Sequence, residues 1–536
     1  MRAGPAAPPP RSILLAGLGV AALLAIPYAV VRLAAPPPGS AYLPVAWAPH
    51  DWLVYVALVE QPWADAGAFL SNPFTTEPQS GRFVLVLLQV LNTLHHVTGL
   101  SGGALLELAR PPLLLLFVLA LWSFVSRVLA SDRDRRWAAL LVLLSGGWEF
   151  VLMALADALP RGVGDVVREN LWHLYGWSTF AAAYNPLWLA GLSLLLAFLA
   201  RALAPEGPGR REAAVAAGVL VLLWFTHPYS AVAAAGILAG AWAARRLLGE
   251  PAPARRRGPM RAALGAAALV IGVVTLWQRG DPVFRASTGA FVGTHDVSIF
   301  WYPLTFGVLL VFAIRGLARW VREAHPWRFA IGGGLGGAAL LASSDLLNGY
   351  HFVPYLHVLL CVAAAPAVAD AFERAREAPR GRLVRAALAV ALFASTAANT
   401  ALSVRATRDA RVPASLAAAL ERLGALPPGN VLAPAWVGNA IPAYGPHRVY
   451  VGHYFMTPDH EARRLAVEVI LADPQGHAAD LRRIVETQRI DYCLVPAPRA
   501  GAIAASLGPA NAGGTAVGDW AVLLVRRGGE TAGAPP

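Results

Sequence analysis

The 536-residue chain has no lysine: all 44 basic residues are arginine, a bias that the base composition of the genome explains without a functional cause. Charge is scarce altogether. Acidic and basic residues make up 14% of the chain, where a soluble domain carries about 25%. That is too few to cover a water-facing surface of this size. Cysteine is nearly missing as well. Cys361 lies in an apolar run and Cys493 in a strand-like one, which excludes a disulfide framework and offers no metal-ligand spacing. The net charge of +12 invites a nucleic-acid partner. The arginines decide against one, because they stand in short loops between apolar runs rather than along one face of a folded domain. What the chain does have is apolar length. It is 57% hydrophobic, with a mean hydropathy of +0.51, and several runs approach the roughly 20 residues that cross a bilayer. This is the composition of a polytopic membrane protein whose first partner is the lipid bilayer.

Orientation follows from the arginines, since cytoplasmic loops retain positive charge. The basic loops are SDRDRR at 131–136, PEGPGRRE at 205–212, and RRLLGEPAPARRRGPMR at 245–261. Two more are RGLARWVREAHPWR at 315–328 and ERAREAPRGRLVR at 373–385. Between them, residues 35–81 hold Asp51, Glu60, Asp65 and Glu77 and no arginine. Spans are expected near 12–34, 104–129, 137–155, 187–204, 213–227, 230–247, 262–278, 303–314, 329–343, 350–370 and 386–404. The N-terminal run is too long for an ordinary signal peptide and reads as a retained first span. About eleven spans put the N-terminus in the cytoplasm and everything after residue 405 outside. GRFVLVLLQVLNTLHHVTGL at 81–100 is apolar too, but counting it as a span would invert every later basic loop. With Gln89, Asn92, His95 and His96 it reads as a helix on the membrane surface.

The expected domains are therefore a transmembrane part, 1–404, with a long first external loop at 35–103, and a C-terminal part, 405–536. In the latter, NVLAPAWV, HRVYVGHY, IDYCLVPA and WAVLLVRR are short β-like runs. DHEARRLAVEVILA and HAADLRRIVETQ repeat at helical period. The alternation predicts a small extracytoplasmic α/β domain.

On the arginine-poor side, APHDWLVYVALVEQ at 48–61 places His50 and Asp51 just beyond the first span. Two readings of Asp51 stand together. It caps the helix WLVYVALVE by satisfying free N–H groups, or it is a carboxylate held at the membrane surface as a general base or metal ligand. Trp47, Trp52, Tyr55 and Trp63 suit stacking on a sugar ring, although an interfacial aromatic belt accounts better for each ring taken singly. Of thirteen histidines, only His325 falls in a predicted cytoplasmic loop. The others, His173 and His295 among them, show no HExxH-like spacing. Further polar groups on this side are Asp157, Asp165, Arg168, Glu169, Asp281, Asp296 and Asp345. Glu149 and Arg110 lie in spans near the outer end, where an ionisable group signals either a function or a paired partner. Arginine suits a lipid phosphate because its fork bonds two oxygens at once.

This pattern resembles the GT-C superfamily of membrane glycosyltransferases. The resemblance rests on PHDWLVYVALVE after the first span and on the surface helix followed by LSGGALLELARPPLLLLFVLALWSFVSRVLASDRDRR. In that family a surface helix leads through a G-x-S turn to a second span ending in a basic loop. THPYS at 226–230, NGYHFVPYLHVLLCVAAAPAVA at 348–369 and IPAYGPHRVYVGHYFMTPDHEARR at 441–464 carry it further. The resemblance covers nearly the whole chain in architecture, through loose motifs. It implies a GT-C-like helical fold and an inverting hexosyl- or pentosyltransferase in a bacterial inner membrane. Such an enzyme takes a sugar from a polyprenyl-phosphate-linked donor on the non-cytoplasmic face. The acceptor, whether protein, lipid or glycan, stays open. The family's loop carboxylate carries over to Asp51 as catalytic residue, with His50, Tyr55, Glu60, Arg110 and His351 as substrate-binding residues. Two departures stand out. Trp52 follows Asp51 where many relatives have a second acidic residue, which leaves a divalent metal open. His351 stands where many have arginine, which leaves phosphate recognition to His351 and Arg110.

Two other classes compete. A flippase or transporter of lipid-linked precursors would show internal repeats and midplane charges, whereas no repeat is visible and the ionisable residues crowd one face. A non-catalytic envelope-assembly protein would use the external domain to recruit a partner and would tolerate loss of Asp51.

Overall fold

The computed structural model describes residues 8–43, 49–62, 69–148, 151, 158, 160, 178–205, 208–249, 257–289, 302–344, 348–508 and 512–525. Trp47, Trp63, Asp65, Glu149, Asp157, Asp165, Arg168, Glu169, His173, His295, Asp296 and Asp345 lie outside them.

The described residues are mostly helical. The first helices are α1 (Arg11–Leu33), α2 (Pro49–Val59), α3 (Val86–Thr98), α4 (Gly102–Val128), α5 (Asp132–Leu144), α6 (Pro186–Ala202) and α7 (Arg210–Thr226). They continue with α8 (Pro228–Leu247), α9 (Arg257–Arg279), α10 (Val308–Arg322), α11 (Arg328–Ala342), α12 (Val353–Glu377) and α13 (Gly381–Asp409). After these come α14 (Ala414–Gly424), α15 (His460–Ala472), α16 (Ala478–Thr487) and α17 (Ala497–Leu507). Every segment expected as a span carries helix. Five helices, ending at Leu33, Val128, Arg279, Glu377 and Asp409, are long and apolar enough to cross a membrane. A multi-pass membrane protein is the architecture these features describe. The others are shorter because the sequence stops them. Asn185 caps α6 through its side chain with Pro186 at the first position, and Gly307, at φ 50°, breaks the run before α10. At 13 residues and about 1.5 Å per residue, α3 spans about two-thirds of a hydrocarbon core.

The chain divides into two compact units. The first contains residues 1–26, 107–274 and 292–403. Its central element is α12, apolar on all sides and buried from Val353 to Pro366. Helices α8 and α11 meet backbone to backbone, where a Cβ on Gly240 would overlap the Gly333 carbonyl oxygen and one on Gly337 that of Gly236. Both helices thus present a G-xxx-G pair, which lets backbones touch where apolar solvent gives no drive to associate. At one end, Arg133 bonds Asp370 at 2.8 Å and Arg319 bonds the other Asp370 oxygen at 2.9 Å, tying α5, α10 and α12 together.

The second unit contains residues 27–106, 275–291 and 404–536. The long loop after the first span therefore packs with the C-terminal segment. Strands β1 (Ser40–Tyr42) and β2 (Arg411–Pro413) pair antiparallel, with Ala41 opposite Val412. The main sheet has β3 (Asn430–Leu432), β4 (Arg448–Val449), β5 (Ile490–Pro496), β6 (Ala512–Val517) and β7 (Trp520–Val525) in the order β4-β3-β5-β7-β6. β3 runs parallel to β4 and β5, while β7 runs antiparallel to β5 and β6. The central β5 is nearly continuous in apolar residues because both its faces are covered. Val467, Ile470, Leu481, Ile484, Ile503 and Leu507 from α15, α16 and α17 pack on Cys493, Val495 and Leu523. Asn72 donates to Ser287 Oγ at 3.0 Å and to the Met456 carbonyl at 2.6 Å, and so joins all three stretches of the unit.

Candidate active site

In the second unit, α2 begins at Pro49, so Asp51 lies inside its first turn rather than at the cap before it. There the helix dipole favours a negative charge. One oxygen, Oδ1, lies 3.3 Å from His453 Nε2. The His453 ring is buried at 5% exposure, whereas the Asp51 side chain is 49% exposed. Phe455 N–H donates to His453 Nδ1 at 3.3 Å. An accepting Nδ1 leaves the proton of a neutral imidazole on Nε2, so His453 donates to Asp51. The histidine holds one oxygen of a carboxylate that is otherwise half open.

The loop that carries His453 is built to hold it. Its carbonyl accepts from Met456 N and Thr457 N, and Thr457 Oγ1 bonds both the Phe74 carbonyl (2.9 Å) and Gly452 N (3.0 Å). Gly452 is required here, because a Cβ would stand 2.9 Å from the Phe74 ring and 3.0 Å from the Gly438 carbonyl. Tyr454 lies against His453 at 4.6 Å between ring centres and is half-exposed.

His50, exposed, meets Asn439. The Asn439 amide nitrogen is 3.3 Å from both His50 Nδ1 and the His50 carbonyl. Asn439 is 3% exposed and its Oδ1 finds no hydrogen-bond partner among the described residues. Neither Asn439 nor His453 stood out in the sequence as a site residue. Their contacts lie about 400 residues away in the chain, and the one available signal, for His453 alone, was the motif at 441–464 that carries the family resemblance.

Tyr55 is half-buried and stands edge-on to Trp52, 6.5 Å between centres. Trp52 is buried and packs on Tyr28, so its face is taken up within the unit. Glu60 Oε1 accepts Gly102 N–H at 2.6 Å, which caps the start of α4. Burial pushes the Glu60 carboxyl above its ordinary value, against the pull of that bond and of nearby His95. Glu60 also lines a small cleft with Gln61, Ser71, His447 and Arg448. Asn92 Nδ2 donates to the Val59 and Gln61 carbonyls, and His96 Nε2 lies 2.7 Å from the latter, so α3 clamps the end of α2. The G-x-S turn follows, with Gly99 at φ 71° and Ser101 Oγ accepting from Ala104 N.

The first unit holds Arg110 and His351. Arg110 is buried, forks onto both Glu107 oxygens at 2.7 and 3.2 Å, and donates from Nε to the Tyr184 carbonyl. A paired partner is therefore present. The two motifs THPYS and NGYHFVPY come together. His351 stacks on Tyr229 at 4.2 Å and 10°, with Tyr350 and Trp188 beside it. Ser230 Oγ bridges His227 Nδ1 at 2.8 Å and Tyr355 OH at 2.7 Å. Among the described residues, no three His, Cys, Asp or Glu side chains gather as a metal ion would require.

No family model and no curated protein matches the sequence. Among solved structures, the fold is similar to the aminoarabinose transferase ArnT from Cupriavidus metallidurans in the apo state. That match has 14% identity and a TM-score of 0.48, covering 95% of this chain and 98% of that one. It is also similar to an apo oligosaccharyltransferase from Archaeoglobus fulgidus, at 15% identity and a TM-score of 0.47, covering 92% and 71%. The third is the arabinofuranosyltransferase AftD from Mycobacteria, at 18% identity and a TM-score of 0.47, where 91% of this chain spans 36% of the other. All three of these structural neighbours are GT-C glycosyltransferases.

Proposed function

We propose that this protein is a membrane glycosyltransferase that moves a sugar from a polyprenyl-phosphate carrier to an acceptor on the non-cytoplasmic face. One observation carries the reading: a half-exposed carboxylate, Asp51, just past the first span, with one oxygen held by the buried His453. The acceptor hydroxyl or amide gives its proton to the second oxygen of Asp51 while its own heavy atom attacks the anomeric carbon. The bond from that carbon to the lipid phosphate breaks, and the phosphate leaves with the bonding pair. Displacement from the opposite side inverts the anomeric centre.

His453 fixes the carboxylate so that reaching the transition state needs little reorientation. His50 and Tyr454, the chain neighbours of Asp51 and His453, are the first side chains to test for contact with the acceptor. Asp51 and His453 supply two of the donors a divalent metal needs, and a chelator in the turnover assay tests whether one takes part. Arg110 and His351 are the residues to test for recognition of the lipid phosphate. The same reading sets eleven crossings in a bacterial inner membrane, with the N-terminus cytoplasmic and the C-terminal α/β segment outside.

Proteoliposomes supplied with polyprenyl-phosphate sugars test the reading by release of free polyprenyl phosphate. Turnover that depends on Asp51 supports it. Lipid scrambling without sugar release would replace it with a flippase.

A further inference from the structure

At the joint between α12 and α13, Arg376, Arg380, Arg382 and Arg385 line a concavity of about 450 Å³ together with Ala378, Pro379, Gly381 and Leu383. No acidic side chain is part of that lining. Of the nearby acids, Asp370 bonds Arg133 and Arg319 and Glu373 bonds Arg133, while Glu377, next to Arg376 in the chain, is not part of the lining. The turn is rigid. Gly381 N bonds the Ala378 carbonyl at 2.9 Å, Arg385 Nε reaches the Gly381 carbonyl, and a Cβ on Gly381 would overlap the Ala375 carbonyl. Four guanidinium groups held on one stiff turn repel one another until an anion lies among them. Their forks match phosphate oxygens in pairs. Beside the charges the surface is greasy: Leu383 is 68% exposed and Val384 42%. Both flanking helices are long and apolar enough to cross a membrane.

We propose that this concavity binds an anionic phospholipid, with the headgroup phosphate on the arginines and an acyl chain along Leu383 and Val384. A volume of this size accommodates a headgroup, and basic pockets at the ends of membrane helices are suited to such lipids. Inorganic phosphate shares the chemistry but offers nothing to the apolar rim. The proposal needs no transferase activity and stands apart from the reading of Asp51.

The test uses the purified full chain in neutral detergent, titrated separately with phosphatidylglycerol, phosphatidylcholine and inorganic phosphate. Retained molecules are counted by native mass spectrometry. Wild type should retain phosphatidylglycerol, with phosphatidylcholine and phosphate held far more weakly. Arg380→Gln/Arg382→Gln should weaken phosphatidylglycerol about thirtyfold, near fivefold per arginine. Arg380→Lys/Arg382→Lys, which keeps the charge but loses the forks, should fall between. Equal retention of phosphatidylglycerol by wild type and the glutamine variant would overturn the site. Phosphate held as tightly as the lipid would overturn the lipid as its occupant.

Discussion

Asp51 and Glu60 occupy opposite ends of the α2 region and have opposite environments. Asp51 is half-open with one oxygen bonded, as a base that must meet substrate requires. Glu60 is half-buried and caps α4, as a structural acid. Asp51→Asn keeps the shape and the helix but removes the base, so turnover in proteoliposomes should fall about 10²–10⁴-fold with thermal stability unchanged. Near-normal turnover would end the general-base mechanism. His453 acts through Asp51. His453→Gln, whose amide still donates, should retain most activity, whereas His453→Ala should lower kcat about tenfold or more with KM held. A structural role alone would move KM and the unfolding temperature as well. For Glu60 the folded state raises the proton affinity. That contribution to stability is fully present below the ordinary glutamate value and declines as pH rises through the raised one. Glu60→Gln still accepts Gly102 N–H but cannot ionise. Its unfolding temperature relative to wild type should therefore be higher at pH 8 than at pH 4, and an equal difference at both would refute the burial argument. Asp51 was legible from its place after the first span. His453 was not, because nothing local in GHYF says that its ring folds back onto a carboxylate 402 residues earlier.

At the scale of elements, apolar runs and their breakers read well. Each segment expected as a span carries helix, although the one in 137–155 stops at Leu144 and the one in 303–314 is broken at Gly307, and NVL, RV, IDYCLVP and WAVLLV are strands. β6 escaped notice because AGGTAV has little of the β-branched and aromatic content that marks a strand; it forms by pairing with β7, Gly514 opposite Leu523. The α8–α11 contact was equally hidden, since glycines in an apolar run weaken a helix on propensity and reveal their use only when two helices meet. That contact makes a prediction opposite in sign to propensity. An alanine normally stabilises a helix relative to glycine by about 0.5–1 kcal/mol. Gly240→Ala and Gly337→Ala should instead destabilise by about 1–3 kcal/mol, as overpacking does. Gly336→Ala serves as the control on the same helix, because its Cβ would meet nothing within 4 Å. Thermal unfolding in detergent separates these, and a Gly336→Ala destabilised as much as the other two would show that the cost does not come from the contact.

For the whole molecule, charge and chemistry divide along the same lines. The Arg133–Asp370–Arg319 network and the arginine concavity belong to loops predicted to face the cytoplasm, whereas Asp51, His453 and Tyr454 belong to segments predicted to lie outside. The proposed reaction requires that division, because a donor sugar presented outside is out of reach of a carboxylate inside. The chain also suits a direct test. Its two cysteines, Cys361 and Cys493, are both fully buried, so a new surface cysteine reports alone. Tyr454 is 48% exposed and Leu247, in the third arginine-rich loop, is 83% exposed. Tyr454→Cys should react with a membrane-impermeant maleimide in intact cells, and Leu247→Cys only after the membrane is opened. The reverse pattern would place Asp51 and His453 in the cytoplasm. The enzyme would then have to draw on an inward-facing donor, and the arginine concavity would meet the outer leaflet instead of the inner one.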